Sequence, residues 1–167
     1  MKIKREALVG AYITDALLLL MRKKDYKDIS ITEICEKAGV TRMSFYRNFE
    51  SKEDILKKWT TDVTDRFLID SGISYKNDST KEYFVKLFSH MKHYQDICLA
   101  LSEAGLMHIV KDQFDRVFLE IHRNEYDDYK SYFLAGGIYN VFHLWLTKGC
   151  KESPDELADR LESILEK

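Results

Sequence analysis

Proline and glycine are scarce in this sequence: one proline, Pro154, and seven glycines among 167 residues. Neither residue is tolerated well inside helices, so their scarcity excludes a turn-rich β architecture and argues for an all-α chain. Cysteine is scarce too. Cys35, Cys98 and Cys150 are odd in number and far apart, which excludes a disulfide scaffold and reads as buried, reduced thiols. Long hydrophobic runs are missing near the N-terminus, where the longest unbroken one is Ala16 to Met21. Six residues are far too few to span a bilayer, and no signal-peptide cleavage pattern follows them. The expectation is a cytoplasmic protein without a membrane partner.

Catalytic patterns are lacking as well. The sequence offers no nucleophile elbow, no phosphate-cradling glycine loop and no metalloprotease helix, so neither an enzyme nor a bound cofactor is expected. His90 and His93 stand three apart, a possible metal-ligand spacing. Without an evident third ligand they read as two surface histidines.

What is present is a soluble composition, 45% hydrophobic and 32% charged, with its charge unevenly divided. The net charge of -2 is made of +4 over residues 1–58 and -6 over the remainder. The N-terminal part is suited to face phosphates and the rest is not.

Helix signals are dense. A first helix spans about Lys4 to Lys23, with Ala7, Ala11, Thr14, Leu18 and Met21 as its stripe. Ser30-Ile31-Thr32-Glu33 is a capping box that opens a second helix facing inward through Ile34, Cys35 and Ala38. Gly39 ends it in a left-handed conformation, Val40 is a buried turn residue, and Thr41 caps a third helix reaching about Asn48. Ser51 caps a fourth, to about Ser71. Polar residues from Gly72 to Ser79 read as a loop. Further helices are expected over about Thr80–Met91, Tyr94–Leu101, Gly105–Arg123 and Tyr126–Lys148. The seventh carries the stripe Leu106, Ile109, Val110, Phe114, Val117, Phe118 and Ile121. Ser153-Pro154-Asp155-Glu156 starts the last helix, which runs to the C-terminus.

Two short helices joined by a glycine turn after one long helix make a helix-turn-helix candidate. At 100° per residue, Phe45 and Phe49 share an inward face of the third helix. Met43, Tyr46 and Arg47 then point outward, with Arg42 and Ser44 on the flanks. Arginine bonds guanine edges in bidentate fashion, the methionine methyl touches thymine, and hydroxyls meet phosphate or base. Thr41 and Lys52 lie at helix N-termini, which favour a phosphate. On spacing alone this face reads equally as a solvated surface.

The stretch Ile31 to Glu53 resembles the DNA-binding signature of the TetR family, matching it at Ile34, Ala38, Gly39, Val40, Phe45, Tyr46, Phe49, Ser51, Lys52 and Glu53. The resemblance implies that Tyr46 and Lys52 hold phosphates and that Arg42, Met43 and Ser44 read bases, within a contact set of Thr32, Thr41, Arg42, Met43, Ser44, Tyr46, Arg47 and Lys52. Met43 stands where a small residue is usual, which implies a different operator or docking depth. The implied architecture is a helix-turn-helix domain over residues 1–54, followed by an antiparallel helical ligand-binding and dimerisation domain over residues 55–167. The implied partners are palindromic double-stranded DNA, a second copy of the chain, and a small-molecule effector that releases a repressor. The alternative is control by a protein partner, with the complex activating transcription.

In the second half, Phe133 to Leu146 is apolar nearly all round, so a helix there must be covered on more than one side. Gly136, Trp145, Leu157 and Leu161 are the expected dimer contacts. The resemblance further implies a ligand pocket, for which Tyr94, Phe114, Phe118, Tyr139 and His143 are the expected contacts, although each aromatic also reads as ordinary core.

Overall fold

The structure, a computed structural model, describes residues 2–73, 78–121 and 126–165, with no account of the side chains of residues 2–7 and 121. Among the described residues the architecture is all-α. The helices are α1 (Lys2–Met21), α2 (Ile31–Ala38), α3 (Arg42–Asn48), α4 (Lys52–Ser71), α5 (Thr80–His93), α6 (Gln95–Glu103), α7 (Met107–Ile121), α8 (Asp128–Thr147) and α9 (Pro154–Leu165). A single 3-10 turn, Tyr26–Asp28, leads into α2.

The starts follow local chemistry. Ser30 Oγ accepts from the Glu33 amide while Glu33 returns a bond to the Ser30 amide, closing the expected capping box. Thr41 caps α3 through the Ser44 amide, and Ser51 caps α4 through the Asp54 amide. Ser153 and Glu156 cap α9 reciprocally. Gly39 ends α2 at φ 66°, a left-handed geometry that costs other residues roughly 1–2 kcal/mol. Arg123, the expected end of α7, lies outside the described residues.

α1 packs on α2, α3 and α4 to form the N-terminal head. Its buried face is Ile13, Ala16, Leu17 and Met21, which corrects the expected stripe: Ala11 is exposed, and Thr14 and Leu18 are only half-buried. α1 is apolar on several faces, so spacing admits more than one stripe, and contact with α2 and α3 selects one. Val40 is likewise half-buried rather than buried. In the body, α5 packs against α9, α7 against α8, and α6 bridges α7 and α8. α4 leaves the head without a break and lies against α7. One continuous apolar core runs through both parts.

Three of the four expected dimer contacts belong to that core. Trp145 is 2% exposed, meets Phe88 edge-on, and donates its indole N–H to the Glu152 carbonyl. Leu157 and Leu161 are buried on α9, the helix that packs on α5. The sequence could not say which of the apolar faces of α8 turns inward. The outward stripe holds Tyr129, Phe133, Gly137 and Leu144, with Phe133 78% exposed. Gly136 borders it, and both it and Gly137 have open space where a Cβ would stand.

Candidate functional site

The head presents one side of α3. Phe45 is fully buried and Phe49 nearly so, their rings 6.2 Å apart. This pair pins the inner face and turns the opposite one outward. Arg42, Met43, Tyr46 and Arg47 are all exposed, Met43 by 68%. The face is ordered by its own short contacts. Tyr46 lies beside the Arg42 guanidinium and raises its pKa. Arg47 Nη2 sits 3.5 Å from Met43 Sδ. The Thr41 and Ser44 hydroxyls are 3.1 Å apart. Thr32 is exposed in the first turn of α2. Thus seven of the eight expected contact residues lie on α2, on α3 or at its cap.

Lys52, the eighth, has a different employment. Its Nζ donates to the Tyr26 carbonyl at 2.9 Å and to the Ile29 carbonyl at 2.5 Å, and lies 4.4 Å from the Tyr26 ring centroid. Burial pushes its pKa down. The side chain ties the start of α4 to the segment that enters α2, an internal role that sequence spacing does not reveal.

α4 carries the head's position into the body. Glu53 pairs with Lys57 at 2.7 Å and meets His108 Nε2 of α7 at 3.5 Å. Thr61 Oγ1 accepts from Gln113 Nε2, and Asp65 accepts from Arg116 Nη2 at 2.7 Å. These contacts form a polar seam along the α4–α7 junction. Beside it lies an apolar cavity of about 70 Å3 between α4, α5, α6 and α7.

Of the five expected ligand contacts, Tyr94, Phe114 and Phe118 line the cavity. Tyr139 and His143 do not. Tyr139 packs its ring on Phe114 from α8, and His143 Nε2 meets Ser102 Oγ of α6 at 3.1 Å. Phe114 thus stands between Tyr139 and the cavity. The sequence reading missed Trp59, Val63, Phe67, His90 and Val117 in the wall. The four-residue spacing of Trp59, Val63 and Phe67 is the signal that was there to use. His90 is not a surface residue: it is half-buried, stacked on Phe67 at 4.1 Å, and its pKa falls to about 4 through burial and the nearby His93. Among the described residues no group of three or more metal-capable side chains occurs. None of the described helices is long and apolar enough to cross a membrane.

Comparison with known proteins agrees with this geometry. Residues 13–58 match the family described as "Bacterial regulatory proteins, tetR family". Residues 78–167, more than half of the chain, match "Transcriptional regulator C-terminal region", a further region of TetR-type regulators. An uncharacterized HTH-type transcriptional regulator, YxbF of Bacillus subtilis (strain 168), is 23% identical over 97% of this chain. The chain spans about half the length of that relative, 44% of it. A TetR transcriptional regulator from Streptococcus agalactiae 2603V superposes with a TM-score of 0.71 at 21% identity, covering 98% of this chain and 96% of that one. The dihydroxyacetone kinase operon activator DhaS gives 0.64 at 16% identity, covering 94% and 93%. Both structures show a shared fold.

Proposed function

The chain belongs to the TetR family of DNA-binding transcription regulators, and we propose that it works as a homodimeric repressor released by a small molecule. Regulators of this family are transcription factors, not enzymes. The observation that carries the reading is the outward face of α3, where Arg42, Met43, Tyr46 and Arg47 stand exposed on a short helix anchored by Phe45. Arg42, in the first turn, reads a base edge, and Met43 adds an apolar contact. Ser44 joins them at the bases, Tyr46, with the hydroxyls of Thr32 and Thr41, meets phosphate, and Arg47 follows the backbone. Lys52 acts indirectly by fixing α4 under the reading helix.

The homodimer rests on the outward stripe of α8. Tyr129, Phe133 and Leu144 are large and exposed there. Two adjacent glycines in mid-helix cost roughly 1 kcal/mol each against alanine, and nothing among the described residues uses the space they leave. Close approach of a partner's helix uses it. Two-fold pairing sets two reading helices into successive major grooves about 34–36 Å apart. The cavity beside α4 is the place from which a small molecule would move the heads.

Mobility shift of the full chain on DNA upstream of its own gene tests the reading. A shifted band at dimer stoichiometry is expected, weakened by Arg42→Ala by about 1–3 kcal/mol on the preferred site and less on random DNA. Equal loss on both would reduce Arg42 to a phosphate contact. Release by cell extract, with no small molecule effective, would transfer control to a protein partner.

A further inference from the structure

The wall of the α4–α7 cavity specifies the chemistry of its occupant. Among the described residues, no lysine, arginine, aspartate or glutamate lines it. The wall also includes Thr64, Tyr83 and Tyr94, while two of its other polar groups are committed elsewhere. Thr60 Oγ1 donates within α4, to the carbonyls of Leu56 and Lys57. Gln113 gives its amide N–H to Thr61 and receives Arg116 on its oxygen. Arg116, the nearest guanidinium in the seam, is paired with Asp65. Burial raises the Cys98 thiol to about 12, so it stays protonated. His90 stays neutral at pH 7 and offers one ring nitrogen pair for hydrogen bonding. A charged ligand would lose its water here and gain no counter-charge, which disfavours it strongly.

Size adds a second constraint. A cavity of about 70 Å3 is below the roughly 150 Å3 that admits benzene in an engineered apolar cavity. A larger molecule either projects from the half-open mouth or parts the walls. α4 is the wall that also carries the head, and the seam of Glu53–His108, Thr61–Gln113 and Asp65–Arg116 holds it to α7 along one side. A ligand that binds the parted state better than the closed one shifts the population toward it.

Building on the small-molecule control proposed above, we propose that this cavity takes an uncharged, mainly apolar molecule. The test uses the full chain at pH 7 with three probes of equal chain length: 1-octanol, octanoate and octyltrimethylammonium. Trp59 lines the cavity and reports occupancy by its fluorescence. A saturable change with 1-octanol is expected, with both charged probes at least tenfold weaker. Val117→Phe should weaken 1-octanol at least tenfold by filling the space. If that variant fails to fold by circular dichroism, His90→Phe serves instead: it should weaken 1-octanol several-fold and leave octane binding in place. Octanoate binding as tightly as 1-octanol, or no saturable change with 1-octanol, overturns the ligand class. A DNA complex that survives saturating 1-octanol overturns the small-molecule control and leaves the ligand class standing. Failure to bind DNA in any state would remove the repressor reading, while the three-probe titration would still decide what the cavity accepts.

Discussion

The head and the body of this protein solve opposite problems. The head packs its apolar residues inward with Phe45 at the centre and shows its working side chains to the outside. The body turns working side chains inward, around a cavity walled by aromatic and aliphatic groups. In the head, outward side chains are replaceable without harm to the fold, because packing is carried by the other face. In the body, wall and core are the same residues, so a change to the wall also changes stability. α4 belongs to both, and under the proposed small-molecule control it is the element that links them.

The largest test of this contrast is Phe45→Ala. A fully buried phenylalanine truncated in a three-helix head should cost about 3–5 kcal/mol, read as a lowered denaturation midpoint. A loss below about 1 kcal/mol would show that the head does not hang on this anchor. Next comes Lys52→Met, which keeps the stem and removes the ammonium from the Tyr26 and Ile29 carbonyls. A stability loss of about 1.5–3 kcal/mol is expected for these charge-assisted bonds. Unchanged stability together with a salt dependence of DNA binding flattened by about one unit would instead return Lys52 to the phosphate contacts.

Ser30→Ala removes half of the α2 capping box and should cost about 1 kcal/mol; thermal melts that match the parent would leave the start of α2 without its local cause. For the body, the sensitive variable is pH. His90 titrates at about 4 when folded against an unfolded value near 6.5, so the unfolded chain binds its proton first. The stability that neutral His90 contributes is complete above pH about 6.5 and declines as pH falls toward 4. In His90→Phe this part of the decline should disappear from pH-dependent melts; a curve that still parallels the parent would place the proton uptake elsewhere. The smallest effect is expected from Arg47→Ala in the head: an exposed side chain, within ±0.5 kcal/mol of the parent in stability, yet weaker on DNA.

Much of the fold was legible because helix boundaries are local chemistry. The starts at Ser30, Thr41, Ser51 and Ser153 and the stop at Gly39 each involve hydrogen bonds within four residues along the chain. The orientation of α3 followed for the same reason: two phenylalanines four apart leave one inward side. The stripe of α1 misled, and the burial of Trp145, Leu157 and Leu161 within the protomer was not foreseen, because α1 and α8 are apolar on several faces, and periodicity cannot rank faces that are all apolar.

The sequence by itself therefore determined the helices, their order and the outward face of the reading head, since capping and amphipathic spacing act over a few residues. Tertiary structure alone decided the rest. It put Trp145, Leu157 and Leu161 in the protomer's own core, gave Lys52 to the carbonyls of Tyr26 and Ile29 more than twenty residues away, and left a cavity where α4 meets α7. Each of these depends on which surfaces meet across the chain. That choice is made by the fit of many side chains at once, which no short stretch of sequence encodes.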